Sequence, residues 1–562
     1  MNRTKFFRPA LLAASALTAV GLSRPAVAQT DTQIQAIESQ IKALQSELSH
    51  LKNELGARDR AVKAAQEQAK AAQTQAAQAQ AQAAAAQAQA AAAPPAPPPA
   101  PAKPPLPQGT FQVGGVTVTL GGFTAAEGVW RSRNQAASIN SNFNTGIPFR
   151  NNSNYYIPEF RMTAQQSRLT LLAQGQPDDV TKLAGYFAMD FLSAGSSSNS
   201  NESNSYTLRV REAYATYARS DLDLYVLGGQ SWSLATMYRI GLVPRQENVP
   251  LTIDAQYVVG FNWARQTQLR VAKGFDNDRF TAGLSLEEPQ TTFSSSVSCP
   301  AGTQPTVPGG TLEYTQCGGP NVNSLQGYSD NNAPDIIAKI AADPGFGHYE
   351  LYGLMRFLGG RVSNVGGGTN YNTVGGGIGG GLIVPLISKK LDFQVSGLVG
   401  SGIGRYGSAQ LPDATFNAQG KIEPLQEYQV MGGFVGHPVP AVDIYAYAGT
   451  EQTYRNYQSV GNVNVGYGNP NVNLAGCGVQ LSPLGCSANT SGIVEGTVGF
   501  WWRFLKGSYG TMQMGAQYEY IGRSAFSGLY KPTGVTVPPG SQTTPTSNDN
   551  MFLFSFRYLP FQ

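Results

Sequence analysis

From Phe111 to the end of the chain, residues of alternating polarity form sixteen segments joined by connections that are short and long by turns. Period-two patterning is the mark of a half-buried strand. It predicts strands at 117–131, 161–174, 181–194, 206–218, 223–234, 257–272, 280–288 and 335–343. The series continues at 348–360, 373–386, 391–405, 425–436, 442–455, 492–505, 509–522 and 549–561. Short connections fall at Gly175–Val180, Arg219–Leu222, Lys273–Arg279, Pro344–Gly347, Ile387–Lys390, His437–Ala441 and Lys506–Ser508. Between them lie long ones at 132–160, 195–205, 235–256, 289–334, 361–372, 406–424, 456–491 and 523–548. A soluble sandwich has no reason to alternate in this way, whereas outer-membrane barrels have short periplasmic turns and long outer loops. The expected fold is therefore all-β, a sixteen-stranded antiparallel transmembrane β-barrel of the porin kind, with both barrel ends in the periplasm.

Composition agrees with a lipid-facing surface. The chain has 64 Gly, 26 Tyr and 25 Phe but only 13% charged residues, about half the usual share for a globular protein. Strand parity says which residues escape the lipid. In the last strand Phe552, Phe554, Phe556 and Tyr558 share one face, opposite Ser555 and Arg557. In the ninth, Tyr349, Leu351, Met355 and Phe357 oppose His348, Glu350 and Arg356. A Lys or Arg at the bilayer midplane costs about 2–4 kcal/mol, so the charged parity is assigned to the lumen. The same argument turns Arg131, Arg168, Arg209, Arg211 and Arg270 inward.

Such a barrel encloses an aqueous channel unless something fills it. The third long connection, 235–256, carries Tyr238, Arg239, Arg245, Glu247 and Asp254 and is expected to fold inward as a constriction loop; the competing reading is an ordinary surface loop. Charge is nearly balanced beyond residue 111, with 28 basic against 29 acidic residues, but 20 of the basic ones are Arg. Between 111 and 285, short turns excluded, 12 basic residues face 7 acidic ones. Arg grips carboxylates in a two-pronged geometry that Lys does not match. The expectation is passive diffusion of small hydrophilic solutes with a preference for anions. In the alternative, the inward charges only solvate a general pore and pair with Glu127, Asp190 and Glu287.

The segments before the barrel have other logics. Arg3, Lys5 and Arg8 precede an apolar run, Leu11 to Leu22, and the small-residue triplet Ala26-Val27-Ala28, which reads as an export signal (1–28) cleaved before Gln29. Residues 29–93 form the next region. Ile34, Ile37, Ile41, Leu44, Leu48, Leu51 and Leu55 make a narrow seam at spacings of three and four, expected for a coiled coil. Paired Ile at its start leans toward three chains or more, hence a homotrimer. An Ala/Gln-rich helix follows, and a Pro-rich linker (94–110) separates it from the barrel (111–562). The coil is also suited to contact the cell wall, a tethering role that could accompany transport or replace selectivity as the chain's main purpose.

The four cysteines form two close pairs, Cys299 with Cys317 and Cys477 with Cys486, in long loops of an exported chain, where disulfides are expected. No metal, cofactor, nucleic-acid or catalytic site is expected. Only His348 and His437 serve the barrel, and neither stands in a nucleophile motif. The expected partners are outer-membrane lipid, small anionic solutes and further copies of the chain.

The whole layout resembles the DcaP-like outer-membrane porins. The texture that carries the resemblance is Val113-Gly114-Gly115-Val116, Leu120-Gly121-Gly122-Phe123, Gln165-Gln166-Ser167-Arg168-Leu169 and Leu208-Arg209-Val210-Arg211-Glu212-Ala213-Tyr214, then Gly228-Gly229-Gln230-Ser231-Trp232-Ser233 and Trp263-Ala264-Arg265-Gln266. The resemblance implies a trimer, a channel for negatively charged solutes such as dicarboxylates, and an arginine-lined interior to which Arg168, Arg209, Arg211 and Arg265 correspond. Two features depart from it. Gln562 follows the terminal aromatic Phe561, and the cysteine-bearing loops have no counterpart in that pattern.

Overall fold

The computed structural model describes residues 30–91, 106–192, 206–295, 305–307, 309–318, 327–461 and 463–562. The expected export signal and most of the Pro-rich linker lie outside them. Two compact units result, divided at Pro104/Pro105.

The first unit holds one helix, α1 (Thr30–Ala91). Its Ala-rich second half needs no tertiary support to favour the helix. Leu48, Leu55 and Val62, spaced by seven, stand uncovered along it.

The second unit is a barrel. Its strands are β1 (Val116–Arg131), β2 (Glu159–Thr163 with Arg168–Gly175), β3 (Thr181–Asp190), β4 (Arg209–Arg219), β5 (Leu224–Trp232), β6 (Arg265–Phe275), β7 (Phe280–Glu287) and β8 (Asp335–Ala342). The wall continues with β9 (His348–Asn364), β10 (Gly367–Ile387), β11 (Leu391–Ser401), β12 (Gln426–Val439), β13 (Val442–Thr453), β14 (Thr490–Gly507), β15 (Gly510–Ala525) and β16 (Thr546–Leu559). Each strand pairs antiparallel with the next. β1 closes the circle against β16, from Thr124↔Tyr558 to Arg131↔Met551. Closure leaves no sheet edge, the condition for strands to cross a bilayer.

The parity argument describes the wall. Phe187, Leu269, Ile340, Ile444, Val498 and Phe554 point outward and are exposed, while inward neighbours such as Gln268, Arg270, Lys339 and Ser555 are buried. An apolar belt around a closed barrel belongs in lipid, and the fold is that of an outer-membrane protein.

Two sequence expectations need correction. The sixth strand begins at Arg265, not at 257. Tyr257 and Gly260 have φ of 74° and 87°, incompatible with a continuing strand, and residues 257–264 belong to the inward loop. The fifth long connection, 361–372, is not a loop. β9 and β10 stay paired to Asn364↔Gly367, leaving a two-residue tip with Gly366 at φ 83°. Period-two patterning runs past the membrane there, so a strand end cannot be read from it.

β2 is interrupted for a reason that bears on the lumen. Phe123 pairs with Arg168 and Glu127 with Thr163, so three residues of β1 oppose four of β2. The Ser167 hydroxyl accepts the Ala125 N–H at 3.0 Å. Gly122 has φ 116°, and a Cβ there would strike the Arg168 carbonyl. Bulges of this kind re-aim a side chain, and the one aimed here is Arg168.

Candidate functional site: the barrel lumen

The segment from Ser233 to Ala264 lies inside the barrel and bonds to its wall over more than half the circumference. Its backbone N–H groups donate to wall carboxylates: Leu234 to Glu287 at 2.8 Å, Tyr238 to Glu350 at 2.9 Å, Val259 to Glu495 at 2.7 Å and Gly260 to Glu451 at 2.8 Å. Ile253 donates to the Gln517 side chain and accepts from Gln166. Lys339 Nζ donates to the Thr236 carbonyl, and Trp501 Nε1 to that of Leu251. A buried backbone must find partners for its polar groups, and here the wall supplies them.

The five loop residues singled out from the sequence divide by exposure. Tyr238 is fully buried, bridged to Glu247, and its phenol oxygen accepts from Arg270. Burial together with the neighbouring Glu212 raises the Glu247 carboxyl to about 7. Asp254 is buried and accepts from the Ser141 and Gln256 amides. Arg239 and Arg245 are exposed.

The inward arginines also divide. Arg131, Arg270 and Arg356 have no exposed surface and hold loops. Arg131 donates to Glu159 at 3.0 Å and to the Ala137 and Ser138 carbonyls of the first outer loop. Arg270 donates to Gln268, to Tyr238 and to the Trp232 carbonyl. Arg356 pairs with Asp335 at 3.1 Å and Asp413 at 2.6 Å, and caps the Gly402 carbonyl.

The structure brings Arg168, Arg209, Arg211 and Arg265 together around a residue the sequence reading had placed in a strand, Tyr257. Arg211 donates to its phenol oxygen at 3.2 Å and Arg265 at 3.5 Å. Arg265 also stacks between Trp232 and Trp263, its Cζ 4.9 and 5.0 Å from their centroids. Among the described residues, Asp190 is the one carboxylate bonded to arginines of the group. It takes both prongs of Arg209 at 2.9 Å and one of Arg211 at 2.6 Å. Arg168 and Arg265 have no carboxylate within ion-pair distance among the described residues, and Arg168 Nε, buried, has no hydrogen-bond partner. Burial would push the Tyr257 phenol up, but the Arg211, Arg265 and Arg168 charges outweigh it and lower it to about 8. Tyr257 left little trace in the sequence, because Gln256-Tyr257-Val258-Val259 reads as strand; the usable signal was Gly260 close behind it.

Several other inward charges are paired or hydrogen-bonded. Glu127 accepts from Arg557 at 2.6 Å, and Glu287 from Gln266 and Ser285. Both His348 ring nitrogens face carboxylates, Asp343 at 2.8 Å and Glu350 at 3.1 Å. His437 lies 2.6 Å from Asp443. At the outer side, Cys477 and Cys486 form a disulfide, and Cys317 is disulfide-bonded. Cys299, its expected partner, lies outside the described residues.

A closed sixteen-stranded barrel with short turns at one end and a third loop folded into its lumen defines the porin fold. Among solved structures, the outer membrane channel DcaP of Acinetobacter baumannii is similar to 80% of this chain over 99% of its own, with a TM-score of 0.52 at 17% identity. The anion-selective porin from Comamonas acidovorans (TM-score 0.39, 9% identity, 79% and 99% covered) and OmpT, an outer membrane protein of Vibrio cholerae (0.41, 9%, 80% and 99%), also align. No known sequence family and no curated protein sequence matches the chain.

Proposed function

We propose that the chain is a porin giving passive diffusion of small hydrophilic solutes and preferring anions, small carboxylates such as dicarboxylates among them. The observation that carries this reading is the group at Tyr257, where four guanidiniums stand with Asp190, bonded to two of them, and the buried Glu212. Arg168, Arg209, Arg211 and Arg265 act in this proposal as the path lining. Arg131, Arg270 and Arg356 act on the path by fixing loops, and Tyr238, Glu247 and Asp254 by seating the constriction. Arg239 and Arg245 keep charge at its water-facing side. An anion leaving bulk water exchanges hydration for charge-assisted hydrogen bonds from planar forks, which favour carboxylate geometry. The bound solute then leaves by diffusion, since nothing in this scheme requires chemistry.

Reversal potentials across planar bilayers under a salt gradient test the proposal. Anion preference is expected for the native chain, reduced by Arg168→Gln with Arg265→Gln; cation preference in the native chain would overturn it. The uncovered Leu48, Leu55 and Val62 of α1 support a homotrimer through a periplasmic coiled coil. Removal of residues 31–107 should weaken assembly while single-barrel conductance survives. If conductance and selectivity are unchanged and the envelope loosens instead, the cell-wall tether is the coil's main role.

A further inference from the structure

Three other arginines, at the outer ends of β14 to β16, have no carboxylate within ion-pair distance among the described residues. The first outer loop lays Arg133, Arg150 and Tyr155 over the outer ends of β14, β15 and β16. Arg133 Cζ is 3.9 Å from the Tyr155 ring centre and Arg150 Cζ 5.8 Å. Arg523, on β15, stacks 4.3 Å over Phe149 of the same loop and donates to Thr490 Oγ1 at 3.0 Å and the Ile147 carbonyl at 2.6 Å. None of the three has an ion-pair partner among the described residues. Asp549, the acid beside Asn548 on β16, is fully buried and takes Ser132, Gln135 and the Arg133 backbone N–H. Burial would raise the Tyr155 phenol, yet its bond to Arg150 and the Arg133 and Arg150 charges lower it, as expected where positive charge is uncompensated.

Arg150, Tyr155 and Arg523 line a cleft of about 320 Å³, with Arg133 stacked on the Tyr155 ring beside it. Its floor is the outward face of the wall, where Val494 pairs with Gly522 and Gly522 with Asn548. Val494 and Tyr520 are 46% and 40% exposed on the lipid-facing parity, whereas Arg523 and Ser547, paired with each other, stand on the inward parity, so the cleft lies at the barrel rim with its apolar part facing lipid. Gly522 keeps the floor open, because a Cβ there would come within 3.0 Å of Val494 Cγ2. Ser524 and Thr546, paired across β15 and β16, add hydroxyls at its upper end.

We propose that this cleft binds the phosphate of an anionic lipid of the outer leaflet. Guanidinium forks match phosphate oxygens as they match carboxylates, and basic pockets at membrane level bind lipid headgroups. The apolar floor running down from Val494 and Tyr520 fits a ligand with a lipid body attached to its phosphate. Free inorganic phosphate shares the headgroup chemistry but would leave that floor bare.

Native mass spectrometry of the detergent-purified full chain tests this with three probes: a phosphorylated lipid A, the same lipid with its phosphates removed, and inorganic phosphate. The phosphorylated lipid should be retained and the other two not. Arg150→Gln should weaken retention about tenfold, the loss of one charge-assisted hydrogen-bond partner. Arg150 is exposed, so this variant is not expected to disturb folding, whereas Arg523 also holds the loop. Gly522→Leu should block the cleft without changing charge. Equal retention of both lipids, an unaltered Arg150→Gln variant, or inorganic phosphate displacing the lipid's phosphate without need of its apolar body would each overturn the proposal. Reversal potentials of these variants should match the native chain, which separates this site from the Tyr257 group.

Discussion

The two walls of the lumen use inward charge in opposite ways. On β9 and β12 to β14, Glu350, Glu427, Glu451 and Glu495 are consumed by the backbone of the inward segments: Tyr238, Ile403, Gly260 with Ala409, and Val259 donate to them. On β2, β4 and β6, Arg168, Arg211 and Arg265 gather about a side chain, the Tyr257 phenol, and among the described residues only Arg211 of the three has a carboxylate within ion-pair distance, with the buried Glu212 beside them. Residues 257–260 touch both walls within four positions. A carboxylate that accepts amide N–H groups is a fastener, and its charge is spent locally. A guanidinium held over a tryptophan face keeps its donors for a solute. The lumen is therefore polarised by how its charges are employed, although basic and acidic residues are nearly equal in number.

The most damaging change to this division should come where a cation also serves as a fastener. Arg356→Met leaves Asp413 buried without its cation and Asp335 with only Arg405 at 3.7 Å, and breaking such a pair costs about 3–5 kcal/mol. Loss of the heat-resistant folded band on unheated gels would report it. If Arg356→Met folds as well as the native chain, the separation of structural from solute-facing arginines fails.

Next comes the acidic wall. Glu495→Leu strands the Val259 N–H, and an unpaired buried donor costs about 1–3 kcal/mol. The loop should loosen, giving larger and noisier single-channel conductance with little change in ion preference. A large swing toward anions would mean that Glu495 charge reaches the path. Arg168→Gln with Arg265→Gln should do the reverse, lowering anion preference while the barrel stays as stable, since neither residue has an ion pair to lose.

How much of this was legible beforehand follows from which physical rule fixed each element. Membrane strands obey a parity rule that a charged residue violates at a cost of kilocalories, so Phe554 against Ser555, or Leu351 against Glu350, could be sorted by reading. The inward segment obeys no such period. Its positive-φ positions at Arg245, Tyr257 and Gly260 are set by wall partners more than a hundred residues away, such as Glu451 and Glu495. Parity likewise turned seven arginines inward without distinguishing Arg356, saturated by four acceptors, from Arg168, whose buried Nε has none among the described residues. That distinction depends on where loops return, and the loops at Gly402 and Asp413 lie about fifty residues beyond Arg356.

The smallest expected effect is also the most specific to the basic wall. With a phenol lowered to about 8, Tyr257 is neutral at acid pH and becomes a phenolate as pH rises through that value. The phenolate would cancel part of the charge of Arg211 and Arg265, its two hydrogen-bonding neighbours. Anion preference should accordingly be greatest below pH 7 and decline across pH 8. A carboxylate such as Glu247, raised to about 7, would lower anion preference in the same direction, so it is the comparison with a phenol-less variant that assigns the decline across pH 8. Tyr257→Phe removes the ionisable oxygen and keeps the ring between Trp232, Phe261 and Trp263. Its reversal potential should stay flat from pH 7 to 9 at the value the native chain shows when acid. A Phe variant that still declined through pH 8 would assign the titration to another group and break the link between the phenol and the arginines around it.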